Sequence, residues 1–212
     1  METNPTNDLS DTNLGQPELA VSEHLFSRVF RYIYDIVKTA VFVLIFALVV
    51  RTFLIQPFIV DGSSMEPTFH DQEYLMVEKL GTTVKKPVRG DIIVFRYPLQ
   101  PSLNYVKRIV GVPGDRVVIG GGKVKIYNND HPNGLELKEA YLLSGAQTLV
   151  RNELVEQSWV VDKGGYFVMG DNRDHSDDSR SWGLVPSKNV IGKVWITVYP
   201  LANFGLVEHA EY

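Results

Sequence analysis

The stretch NYVKRIVGVPGD (residues 104–115) sets two basic side chains, Lys107 and Arg108, among valine, isoleucine and tyrosine, and closes on Val-Pro-Gly-Asp. β-Branched and aromatic residues bounded by Gly, Pro and Asp are the chemistry of a strand running into a turn. Successive side chains of a strand leave on opposite faces. Lys107 and Arg108 therefore cannot point the same way: if one meets water, the other is pressed towards the packed side. Which is which stays open in the sequence, and a strand carrying two solvated or edge-guarding cations has the same pattern.

The same texture extends outward on both sides. EYLMVEKL (73–80), GDIIVFRYP (90–98), RVVIGGGKVKIYNND (116–130), GGYFVMGDN (164–172) and the run from Val190 to Pro200 are short, apolar and punctuated by turn residues. Residues 56–212 read as one mainly-β domain, with a small β insertion near 116–165 and room for weak helix only in 135–157. Gly120–Gly122 most simply joins two strands. It is not a phosphate loop, since Lys123 is followed by Val124 instead of Ser or Thr.

Ahead of this domain the composition differs. Ala40–Val50 is unbroken apolar sequence, and the window from Ile36 to Ile55 reaches 20 residues with only Lys38 and Arg51 charged. About 20 residues at 1.5 Å each span a bilayer, and long cations near the ends can reach the interface. Residues 31–55 read as a single transmembrane anchor, and 1–30 as a disordered tail with a juxtamembrane segment. Arg28, Arg31 and Lys38 precede the apolar core and Arg51 follows it, which places the N-terminus in the cytoplasm and the β domain outside. Phe53, Leu54, Ile55, Phe58 and Ile59 either keep the domain at the bilayer surface or simply start its core.

The bulk numbers exclude several classes. With 212 residues, 44% hydrophobic and 22% charged, the chain can pack a core; a net charge of −4 argues against nucleic acid as a partner. The absence of cysteine removes disulfides and thiolate chemistry. Asp171, Asp174, Asp177 and Asp178 lie close together but break the calcium-loop spacing, so neither metal nor cofactor is expected. Nucleophilic chemistry has one candidate segment, VDGSSMEPTF (60–69). It fails the Gly-x-Ser-x-Gly elbow, because Glu66 stands where glycine should, and the Ser-x-x-Lys pattern, because Pro67 stands where lysine should. Among the histidines only His175 is placed for a triad. A lysine serves as base only if burial removes its charge, since about one in a thousand is neutral near pH 7.4 at an ordinary pKa. Lys107 is the best-placed lysine.

Read in order, GSSMEPTF, YVKRIVGVPGD and MGDNRDHSDDSRSWGLVP resemble the nucleophile, lysine and Gly-Asp-Asn-Arg-Asp boxes of type I signal peptidases. These are membrane-bound Ser/Lys endopeptidases. The resemblance implies a β-sheet catalytic domain of the kind shared with self-cleaving repressors, cleavage after small residues, and signal peptides and membrane lipid as partners. It implies Ser64 as nucleophile and Lys107 as general base. Ser176 would hydrogen-bond and orient the lysine, Asp178 with Arg180 would brace the site, and Asp171 and Arg173 would be structural. His175 becomes a bystander. Gly62 stands where some members carry a hydroxyl oxyanion donor, so the amide of Gly62 or its vicinity is expected to serve beside that of Ser64. A non-catalytic, membrane-tethered β module that binds peptides is the alternative from another class.

Overall fold

The computed structural model describes residues 17–79, 85–150, 156–210 and 212, the side chains of 17–26, 52 and 53 excepted. The first 16 residues, and with them most of the expected disordered tail, lie outside the described residues, as does the Phe53 side chain.

Helix α1 runs Pro17–Val49. It starts well before the expected residue 31. Proline is favoured at a first helical position, and no breaker follows it, so the helix includes the juxtamembrane segment and the last four residues of the polar stretch 1–20. Within it, Ser27–Val49 is long and apolar enough to cross a membrane. Its apolar side chains, Phe42, Leu44 and Phe46 among them, are exposed. A π-helical turn, Val50–Leu54, follows.

The second unit, Val50–Tyr212, is built of antiparallel strands. Strands β1 (Ile55–Ile59), β2 (Tyr74–Glu78), β3 (Ile92–Arg96), β4 (Asn104–Gly111), β9 (Gly165–Met169), β10 (Val185–Pro186) and β11 (Val190–Tyr199) form one sheet in the order β1-β2-β11-β3-β4-β9-β10; β12 (Gly205–Leu206) pairs with β11. A second sheet, β7-β6-β5-β8, uses β5 (Arg116–Gly120), β6 (Lys123–Tyr127), β7 (Leu135–Glu136) and β8 (Gln157–Val160). It is inserted between β4 and β9, which pair with each other. Among the described residues of 135–157 there is no helix. Gly121 and Gly122 both take positive φ, 59° and 76°, the two-residue turn that a tight hairpin needs between β5 and β6.

The unbroken IIVF of β3 has a physical cause. Ile92 and Val94 pack in a cluster with Val60, Met65, Phe69, Leu75 and Val194. Ile93 and Phe95 pack in another with Ile109, Tyr166, Val168 and Val185. A strand covered on both faces loses its polar alternation. β4 lies beside it, between β3 and β9, with Lys107 opposite Ile93 and Arg108 opposite both Ile92 and Met169. Both cations are therefore carried into the interior by a central strand.

Candidate active site

The loop between β1 and β2 presents Ser64. It closes on itself through the amide of Val60 donating to the Glu73 carbonyl (2.9 Å) and that of Gln72 to the Val60 carbonyl (2.9 Å). Met65 and Phe69 root it in the core. A second loop, from Gly170 onward, clamps it: the Asn172 amide donates to the Ser64 carbonyl and the Asn172 side chain to the Ser63 carbonyl, each at 3.1 Å. A Cβ on Gly170 would stand 2.4 Å from the Ser64 carbonyl oxygen and 2.3 Å from Ser176 Oγ. Only a glycine lets these loops meet.

Against this serine β4 delivers Lys107, with Nζ 2.7 Å from Ser64 Oγ. The amine also donates to the Val106 carbonyl (3.1 Å) and stands 5.4 Å from the Tyr105 ring centre. Lys107 is 4% exposed and forms no ion pair among the described residues. Burial pushes its pKa down to about 8, against the pull of Asp178, Asp177 and Asp171. The pair opens on a cleft of about 420 Å³ whose lining includes Phe58, Val60, Leu75, Val94 and Tyr105.

Arg108, the next residue, has the opposite surroundings. Its Nε and Nη2 reach the two oxygens of Asp171 at 2.9 and 2.6 Å, and Nη1 donates to the Gly90 carbonyl at 3.0 Å. Its guanidinium lies 3.9 Å from the Tyr141 ring centre. Burial alone would lower its pKa, but the Asp171 bonds hold it above the ordinary value.

Asp178 is fully buried, caps the short helix α2 (Ser179–Trp182), accepts from the Gly170 amide (3.1 Å) and pairs with Arg180 at 2.8 Å. Arg180 continues to the carbonyls of Leu149 (3.0 Å) and Arg173 (2.7 Å). Arg173 itself bonds Glu139 and Thr148. These contacts tie the Gly170 loop to the segment that precedes β8.

Two expectations need correction. Among the described residues the Ser176 hydroxyl has no hydrogen-bond partner: it is buried against Gly170, and the polar contacts of the lysine amine are to Ser64 and Val106. The Gly62 amide donates to Asp71 at 2.8 Å and is not free for a substrate. The Ser64 amide makes no hydrogen bond among the described residues. His175 is exposed and its side chain has no hydrogen bond or ion pair among the described residues, while Ser64 is met by Lys107, so no triad assembles among them. The sequence offered no sign of Asn172 as a clamp or Asp71 as a partner of Gly62, because both act across turns and between loops.

Residues 33–199 match the family described as signal peptidase, peptidase S26. The chain belongs to this family. It is accordingly a hydrolase of the serine-protease kind. Signal peptidase I of Pseudomonas aeruginosa is 34% identical, over 87% of this chain and 79% of the relative. That of Bacillus licheniformis is 35% identical, over 79% of this chain and 89% of the relative. A crystal structure of a signal peptidase I from Enterococcus faecalis is 36% identical, covering 51% of this chain and 97% of that one, with a TM-score of 0.42.

Proposed function

We propose that this peptidase removes N-terminal signal peptides from exported preproteins, cutting after small residues by a Ser64/Lys107 dyad. The observation that carries the reading is the 2.7 Å approach of a buried amine, without a counter-ion, to Ser64 Oγ. With its pKa near 8, roughly a tenth of Lys107 is neutral at pH 7, a few hundredfold more than for an ordinary lysine. The neutral amine takes the hydroxyl proton as Ser64 attacks the scissile carbonyl. The Ser64 amide donates to the oxyanion, and one such donor is worth about 3 kcal/mol. The lysine then protonates the leaving amine and activates the water that releases the acyl-enzyme. Asp178 and Arg180 hold the Gly170 loop, and through it the serine, in register. The membrane span, with Arg28, Arg31 and Lys38 on the N-terminal side of its unbroken apolar run from Ala40, suits a cytoplasmic N-terminus, with the β domain and cleft beyond the membrane, where signal peptides emerge.

The test is cleavage of a preprotein with a small-x-small site by the full chain in detergent. Ser64→Ala is expected to fall to background. Lys107→Arg keeps the charge but cannot deprotonate, and is expected to lose at least about a thousandfold in kcat/KM. The wild-type kcat/KM should rise with pH along a limb centred near 8. Normal turnover by Lys107→Arg would remove the lysine from the mechanism. Wild-type cleavage by Ser64→Ala would remove Ser64 as the nucleophile, and no cleavage by the wild type would leave only a peptide-binding module.

A further inference from the structure

We propose that Asp177, with the stacked rings of Tyr97 and Tyr105, selects a lysine or arginine side chain of the substrate close to the scissile bond. The proposal rests on the reading of the cleft as a peptide site and adds to it a charge preference. The charged residues lining the cleft are Asp61, Asp177 and Lys107. The mechanism needs Lys107 neutral, so the working cleft presents two carboxylates and no cation. Both aspartates are exposed, and neither has a hydrogen bond or ion pair among the described residues.

Asp177 is also held in place. It sits between Ser176, packed on Gly170, and Asp178, which is buried in its bonds to Gly170 and Arg180. Its carboxylate is thus presented on a pinned loop, with little order left to impose on binding. Its field is felt by two groups: it opposes the loss of charge on Lys107, and after burial it is the main influence pushing the Tyr97 phenol up. Asp177, Tyr105 and Lys107 line the same cleft. Tyr97 stacks on Tyr105 with centres 4.6 Å apart and planes 16° from parallel, and Trp182 abuts Tyr97 edge-on at 5.6 Å. A fixed aromatic face beside an unpaired carboxylate attracts ammonium and guanidinium groups. A glutamate placed there meets two like charges instead.

The experiment uses the detergent-solubilised full chain and preproteins that differ at one residue. Lysine or glutamate is placed in turn at each of the five positions on either side of the cut. At one position or more, the Lys:Glu ratio of kcat/KM is expected to be about fivefold or higher at low ionic strength, and to shrink with added salt. In Asp177→Asn that ratio falls towards one. In Asp174→Asn, which removes the same charge from an exposed site of the same loop outside the cleft lining, it persists. Taking a ratio cancels the influence of Asp177 on Lys107, which both substrates share. A ratio within twofold of one at every position, or one unchanged in Asp177→Asn, overturns the proposal. Failure of the peptidase reading would look different: the wild type would cleave neither the lysine nor the glutamate substrate.

Discussion

Lys107 and Arg108 are neighbours on one strand, both almost wholly buried, and folding does opposite things to them. Arg108 is met by the two oxygens of Asp171, a carbonyl and an aromatic face. Lys107 is met by one hydroxyl and one carbonyl. Burial disfavours charge at both sites, and the partner decides the outcome. With a bidentate carboxylate the cation survives as a strut. Without one the amine loses charge and gains basicity towards its neighbour. The strand alternation that sets them on opposite faces is what allows a permanent cation and a titrating one to stand side by side.

The larger effect is expected on the Arg108 side. Asp171→Ala leaves a guanidinium buried with no counter-charge, which typically costs about 3–5 kcal/mol. Denaturant unfolding of the β domain should show that loss. Adding Arg108→Met to Asp171→Ala should recover part of it, because the orphaned charge is then gone. If the single variant is as stable as the wild type, the strut is not a strut.

On the Lys107 side the expected sign is reversed. The folded pKa of about 8 lies below the ordinary 10.5, so the unfolded chain binds more protons between those values and stability rises with pH across that window. Below pH 8 the full penalty of burying the amine is present. Lys107→Met removes it, and is expected to stabilise the domain by about 3 kcal/mol at pH 7 while abolishing cleavage. The gain should fade as the pH approaches 10.5. A loss of stability at pH 7 would mean that the amine contributes to holding the fold as well as to chemistry.

Much of this arrangement was legible before the fold. The apolar runs became β2, β3, β4, β5, β6, β9 and β11 because branched residues between turn formers have few other ways to bury themselves. The alternation at Lys107-Arg108 set the two cations on opposite faces and left open whether either would be buried. It did not announce that both would, since this depends on β4 having neighbours on each side and loops closing over each face. Ser176 and Gly62 were misjudged for a related reason. Where a hydroxyl packs and which acceptor an amide meets depend on what the tertiary fold brings close, here Gly170 against Ser176 and Asp71 against Gly62, and neither neighbour stands out in sequence. The start of α1 at Pro17 was not legible, because apolarity marks the part of a helix that can cross a membrane, and helix propensity does not require apolar residues.

His209 is a second base held neutral by burial, with a smaller expected effect. Its Nδ1 accepts from the Ile92 amide at 3.3 Å, which requires that nitrogen to be unprotonated, and lies 3.7 Å from Asp91. The Asp91 carboxylate is already engaged by Lys193 at 2.6 Å. Burial, followed by Lys193, pushes the His209 pKa down to about 4, against the pull of Asp91. The folded value lies below the ordinary 6.5, so the unfolded chain binds the extra proton first. The contribution of His209 to stability is then complete above pH 6.5 and is lost as pH falls towards 4. His209→Asn retains an acceptor but cannot titrate. The difference in stability between wild type and His209→Asn should therefore change with pH between 6.5 and 5, before most carboxylates protonate. The wild type should lose ground to the variant as acid is added. Parallel curves across that interval would mean that the ring takes up its proton without giving up the Ile92 amide.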